Sequence, residues 1–148
     1  IKFSGSQHAN QGDAQIGMYP LMADTTDATA TAMVTNHQST PGAGTANQIV
    51  LPNNSAYAFS GTIVARQKAG DGTACAAWKI EGLIRREANA GTTVLVNSAT
   101  TVLDNTPNWG MALSADTTNG GLKVQVTGAA STNIRWTSNI MASELTYA

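Results

Sequence analysis

Charge is what this chain has least of. Of its 148 residues only 11% are Asp, Glu, Lys or Arg, and the formal net charge is −1. Intracellular enzymes usually carry about a quarter charged residues. A nucleic-acid or anionic-membrane binder would need a basic excess, so neither a nucleic-acid partner nor a membrane-surface role is expected. Cysteine is almost absent. Cys75 is alone and has no intrachain disulfide partner, so stability must come from packing or oligomerisation. It lies in the apolar stretch CAAWKI (75–80) and is expected to be a small, partly buried residue. No apolar run approaches the ~20 residues of a helical membrane span, and neither a secretory leader nor membrane insertion is expected. The chain opens on Ile1 rather than Met, which leaves a trimmed precursor, a fragment and an incomplete start all open.

What the chain has in abundance is Thr, Ser, Asn, Gln, Gly and Ala, arranged in alternating patterns. The stretches AYAFSGTIVARQ (56–67), CAAWKIEGLIRRE (75–87), WGMALSAD (109–116), GLKVQVTG (121–128) and NIRWTSNIMASELTY (133–147) carry apolar residues at every second position. Strict alternation places one face of a strand in a core and the other against water or a partner. One face of 56–67 holds Tyr57, Phe59, Ile63 and Ala65; one face of 74–87 holds Ala74, Ala76, Trp78, Ile80 and Ile84. Outward positions are expected to be Thr, Ser and Asn with a few paired charges, including a Lys79–Glu81–Arg85 ion-pair ladder. Gly61 and Gly82 mark bulges or close backbone approaches. Asn119-Gly120 is the strongest hairpin signal in the sequence.

Earlier segments are weaker. Residues 1–13 are polar and aperiodic and read as an extended arm or linker, mobile or docked on a partner. Residues 14–22 form a strand in which Pro20, lacking an N–H, marks an edge or a bulge. Asp24 and Asp27 follow in a turn, both available for bonds to their own backbone. Residues 29–35 and 48–51 are short strands flanking a Gly-rich loop, 37–47. Residues 92–104 read as two short β-branched strands about a turn at Asn97–Ser98. The fold class is therefore all-β: about nine strands in an antiparallel β-sandwich, jelly-roll-like, forming a single domain over 14–148. A helix at IEGLIRREA is disfavoured by Gly82. The repeated Ala-Asp-Thr-Thr at 23–26 and 115–118 reads as shared turn chemistry.

No catalytic set emerges. Paired carboxylates must face one bond, but six of the nine acids are Asp residues in predicted loops and turns. His8 and His37 lack a nearby nucleophile motif. His8, His37 and Cys75 are too scattered for zinc, DTTD and GDG lack the dense acidic alternation of a calcium loop, and no Gly-rich phosphate cradle precedes a helix. No cofactor or metal is expected. Surface recognition remains. Trp109, after the DNTPN loop with Asn108, is the candidate sugar-stacking residue against a plain core role, and Arg85 and Arg86 are candidates for an acidic glycan or a neighbouring subunit.

From residue 47 onward the sequence resembles a module of tailed-bacteriophage virion appendages, the C-terminal parts of tail-fibre and tailspike-like proteins. The residues carrying the resemblance are NQIVLPNNSAYAFSGTIVARQ, AAWKIEGLIRREA, WGMALSADTTNGGLKVQVTG and NIRWTSNIMASELTY, about two-thirds of the chain. The resemblance implies a non-enzymatic β-sandwich on the virion exterior, a homo-oligomer with a trimer favoured, binding other virion proteins or a host-surface glycan. It carries over no catalytic residue. Two rivals remain: a purely structural capsid or neck component docked through 1–13, and a polysaccharide depolymerase using acids such as Glu81 and Asp104.

Overall fold

A computed structural model describes residues 1–4, 8, 10–37, 40–41 and 47–148. Its strands are β1 (Lys2–Ser4), β2 (Ala14–Thr25), β3 (Thr31–Ala32), β4 (Ile49–Val50), β5 (Ser55–Gln67), β6 (Cys75–Arg86), β7 (Val94–Asp104), β8 (Gly110–Asp116), β9 (Gly121–Thr127) and β10 (Ile134–Thr146). Among the described residues the one helical element is a 3₁₀ turn at Ala90–Thr92. One sheet has six strands in the order β1-β2-β10-β5-β6-β7, with all pairs antiparallel. In the smaller sheet β9 is central: β8 runs along one edge, and β3 and β4 lie end to end along the other. Consecutive β5, β6 and β7 form a meander, and β8 and β9 a hairpin. The architecture is a β-sandwich.

The expected faces are the observed ones. Along β10 every second residue from Ile134 to Glu144 is buried and every intervening one exposed. Tyr57, Phe59, Ile63 and Ala65 of β5 and Ala76, Trp78, Ile80 and Ile84 of β6 are likewise buried. They meet Leu122, Val124 and Val126 of β9 and Ile49 of β4 across the interior. At its centre Trp136 stacks on Trp78 with ring centroids 6.0 Å apart and meets Trp109 at 5.8 Å and 57°, offset and tilted geometries that add to plain area burial. Its Nε1–H donates to Thr25 Oγ1 at 2.9 Å, satisfying the one polar group the indole brings inside. The hydroxyl of Ser138, buried in the same row, has no hydrogen-bond partner among the described residues.

Local features explain the details. Pro20 stands in β2 between Met18 and Met22, whose N–H groups donate to Ile1 O and Val34 O on the side away from β10. The missing N–H of Pro20 therefore falls in the gap between β1 and the Met22–Val34 bridge, on an open edge where no ladder bond is lost. Gly82 is a close approach: a Cβ there would stand 2.7 Å from both the Phe59 ring and the Asn97 carbonyl. The stretch IEGLIRREA is strand as far as Arg86.

Four expectations change. Within 1–13, Lys2–Ser4 is a strand paired to β2 of its own sheet rather than a free arm; residues 5–7 and 9 lie outside the described set. So do residues 38–39 and 42–46 of the expected loop. Residues 92–104 are not two strands. β7 is a single strand of 11 residues, because Asn97 accepts the Ser98 N–H at 2.9 Å within the ladder and the irregularity is taken up by register shifts that skip Val96 and Leu103. Cys75 is exposed, at the start of β6. The outward face is more apolar than expected, with Ile16, Met18, Leu83, Met141 and Leu145 all exposed.

Candidate functional site

On the outer face of the six-stranded sheet, where β2 and β5 end and β10 begins, the register sets charges side by side. Arg135 of β10 stands opposite Asp24 of β2 on one side and Arg66 of β5 on the other. Arg135 Nε–H donates to Asp24 Oδ1 at 2.9 Å, and the other carboxylate oxygen lies 2.6 Å from His37 Nε2. Partial burial alone would raise the Asp24 pKa, but the bonds from Arg135 and His37 outweigh it and hold the carboxyl below its ordinary value. Among the described residues Arg66 pairs with no carboxylate; its Nη1–H donates to the Thr73 carbonyl at 2.9 Å. Arg66 and Arg135 are therefore cross-strand partners on one face, with Thr73 and Asp24 drawing their guanidiniums to opposite sides, and like charges so paired repel. Lys68 adds a third cation to the same cleft of about 810 Å³, which Val64, Thr137, Gln67 and Asn133 also line.

In a chain of net charge −1 this is a local excess of positive charge with unused donors. An anion seated between Arg66 and Arg135 would relieve their repulsion, and planar guanidiniums suit a carboxylate.

The residues singled out from sequence are elsewhere. Trp109 is 5% exposed and packed on Trp136, so it is core and no sugar can stack on it. Asn105 fixes it there: its Oδ1 accepts the Trp109 N–H at 2.9 Å, and its Nδ2–H donates to the Trp109 carbonyl at 2.7 Å. Asn108 is exposed in a left-handed turn at φ 59°. Arg85 and Arg86 alternate to opposite faces of β6. Arg85 pairs with Glu87 at 3.1 Å, while Arg86 donates to the Leu51 carbonyl at 2.7 Å and to Asn53 Oδ1 at 2.8 Å, tying the strand end to the preceding turn. The Lys79–Glu81–Arg85 ladder is not formed among the described residues, since Arg85 turns to Glu87 instead. Glu81 stands opposite Ala99, and Asp104 opposite Ala77, four residues further along β6. At ~3.3 Å per residue their backbone positions are ~13 Å apart along the strands.

The repeated Ala-Asp-Thr-Thr does not share a chemistry either. Asp116, 4% exposed, accepts from the backbone N–H of Thr118 and Asn119 at 3.0 Å, from Asn119 Nδ2 at 2.8 Å and from Gln48 Nε2 at 2.9 Å. Burial works against ionisation, yet these bonds prevail and bring its pKa down to about 2. It closes the β8–β9 hairpin, with Gly120 at φ 78°. Asp24 instead faces outward to Arg135 and His37. The turn role expected of it belongs to Asp27, which accepts the Thr29 N–H at 2.8 Å.

A second charged cluster lies at the far end of β10. Glu144, on the inward face, accepts from Lys2 Nζ at 2.6 Å, from Gln15 Nε2 at 2.7 Å and from the Tyr19 hydroxyl. Lys2 Nζ also sits 5.3 Å and 5.6 Å from the ring centroids of Tyr19 and Tyr57. Burial, then the Glu144 charge, pushes both phenols well above their ordinary pKa. The Glu144 side chain is 1% exposed although Lys2 reaches it from a partly exposed position, so the carboxylate itself is shut off from solvent and serves the fold.

Sequence reading missed both clusters. Glu144 shares the parity of Trp136 and Ile140, which already placed it inside. Arg66 and Arg135 come together only through the β5–β10 register.

No protein-family model and no curated protein matches this sequence. Among solved structures it is similar to three phage tailspike proteins. These are tailspike gp49 of Acinetobacter baumannii bacteriophage Fri1, a capsular polysaccharide depolymerase (12% identity, 96% of this chain and 20% of that one, TM-score 0.39); the tailspike of Acinetobacter phage vB_ApiP_P1 (15%, 89% and 22%, 0.38); and the tailspike of Acinetobacter baumannii phage AM24 (6%, 86% and 26%, 0.39). The chain spans about a fifth to a quarter of the length of these proteins. At such overlap the likeness carries no argument about activity, substrate or assembly.

Proposed function

We propose that this chain is an exterior module of a tailed-phage appendage that binds a carboxylated host-surface glycan without turning it over. The observation that carries the reading is the Arg66–Arg135 pair with Lys68 in one cleft, three cations against the carboxylate of Asp24 and that of Asp71, which accepts from Asn133 at 3.3 Å. The phage assignment draws on the sequence resemblance from residue 47 onward. Val64 and Thr137 in the lining offer apolar contact for a sugar ring, Gln67 and Asn133, whose amide nitrogens donate to Asp71, offer their amide oxygens to hydroxyls, and the two guanidiniums take the carboxylate.

Titration calorimetry with uronic-acid oligosaccharides and neutral ones of matched length tests this. Acidic oligosaccharides should bind and neutral ones should not. Arg66→Ala combined with Lys68→Ala should weaken binding about tenfold or more, since a charge-assisted hydrogen bond contributes about 1.5–3 kcal/mol. Equal binding of both classes, or full affinity in the double variant, overturns the reading. Shortening of the oligosaccharide during the titration would overturn its non-enzymatic part.

A further inference from the structure

Near Glu144 the alternation of the six-stranded sheet keeps its period but reverses its sense. The inward positions there hold Lys2, Gln15 and Glu144, and the outward ones hold Phe3, Ile16 and Leu145. From Arg135 to Asn139 the outward positions of β10 are polar instead. The pairs β1–β2, β2–β10, β10–β5 and β5–β6 run through this region without a register shift, so every facing is fixed. Phe3, Ile16, Ser143, Ala58 and Leu83 form one row across the sheet, and Met18, Met141, Ser60 and Glu81 form the next. Leu145 stands between Ala14 and Ala56 in a third. Glu81 of β6 is the first charged side chain met, so four adjacent strands present none.

In a lone chain both halves of this inversion are unfavourable. A carboxylate is taken out of water on the inner side, while Phe3, Ile16, Met18, Leu83, Met141 and Leu145 remain 40% to 61% exposed on the outer. A contiguous apolar patch of this kind marks an interaction surface. Its make-up is that of an interface core: an aromatic ring and two Met side chains, no charge, and uncharged Asn139 and Thr62 in the adjoining row. The missing charge also selects the occupant. A different protein is recognised through complementary charges that set register and partner choice, and the patch offers none. Copies meeting about an axis bring a residue against its own counterpart, where a charged side chain would be repelled and an apolar one is accepted.

We propose that this corner of the sheet is the surface on which three copies of the chain meet, with Phe3, Ile16, Met18 and Met141 of each packed about a common axis. The contacts are head-to-tail and the ring closes at three. The number of copies rests on the resemblance that also supports the phage assignment; the surface rests on the inverted alternation. Met141 and Arg135 are six residues apart on β10, about 20 Å at ~3.3 Å per residue, so assembly at this end leaves the glycan cleft clear.

Sedimentation equilibrium on the whole chain without ligand tests it, so the outcome does not depend on the cleft. Met141→Lys sets like charges against one another at the axis, and Ile16→Thr combined with Met141→Thr removes the apolar contact without adding charge. Both residues are about half exposed, so the folded monomer has room for the changes. The native chain should weigh three times a monomer, and both variants should fall to the monomer mass. Their near-ultraviolet circular dichroism, which reports the Trp78–Trp136 stack, should stay native. Thr101→Glu, opposite Lys79 at the far margin of the same face, should remain trimeric. A native monomer would leave the patch to another virion protein and overturn the proposal. So would a native dimer, a variant at Ile16 or Met141 that stays trimeric, or a monomeric Thr101→Glu. Loss of the near-ultraviolet signal in both patch variants would overturn it too, since the patch would then serve the fold.

Discussion

The strand pair β2–β10 is joined by a charged contact at each end, and the two contacts behave as opposites. At one end Glu144 is sealed on the inward face, held by Lys2, Gln15 and Tyr19. At the other, Asp24 and Arg135 meet on the outward face with side chains 35% and 84% exposed. Both follow from one register and from the alternation of β10. The difference is one of parity: Glu144 shares its side with Trp136, and Arg135 does not. A buried carboxylate must be fully bonded to be tolerated, which explains the three side chains that donate to it and the bare backbone of Gly17, where a Cβ would run into Glu144 and the Tyr19 ring. An exposed one is screened by water and contributes little to stability, which leaves the cations around it available to a ligand. Inside, charge fixes the fold; outside, it is free for recognition.

Mutation should separate the two ends. Glu144→Ala removes the acceptor on which three donors converge, and should cost about 3 kcal/mol, near the lower bound for breaking a buried pair because Lys2 regains water. Asp24→Ala should cost under about 1 kcal/mol. Urea unfolding of the two variants measures both, and equal losses would remove the distinction. Alkali should strike the Glu144 end selectively. Tyr19 and Tyr57 have folded pKa values raised above the ordinary 10.0, so above pH 10 the unfolded chain gives up those protons first. Their contribution is whole below pH 10 and is lost as pH rises beyond it. Unfolding midpoints followed from pH 8 upward should fall beyond pH 10, and Tyr19→Phe should flatten that fall; an unchanged slope would remove Tyr19 from the explanation. The smallest effect belongs to Ser138, on the same strand between the two ends. Ser138→Ala discards a buried hydroxyl that has no partner among the described residues and should leave stability unchanged or raise it by up to about 1 kcal/mol. A clear loss would mean that the hydroxyl is bonded.

Legibility in the sequence followed the range of the interactions. Parity within β5, β6 and β10 named the core faces, because alternation is a property of neighbouring residues. Pro20 announced an open edge through its missing donor, and Asn119-Gly120 announced a hairpin. Trp109 was harder to place: the loop before it suggested exposure, but bonds from Asn105 hold it against Trp136. Asn97–Ser98 looked like a turn because a turn dipeptide read alone says nothing of the ladder bonds to β6 that keep it extended. The ion-pair ladder on β6 failed for a similar reason, since Arg85 found Glu87 instead.

By itself the sequence determined the all-β class, the inward faces of the long strands, the Asn-Gly hairpin and the scarcity of charge. All of these depend on residue types and on a spacing of two. Tertiary structure alone decided that Arg66 faces Arg135 beside Asp24, that Lys2 reaches Glu144, and that β7 is left uncovered at the margin. Those depend on which strands become neighbours and in what register, and that is fixed by burying Trp78, Trp109 and Trp136 together in one core.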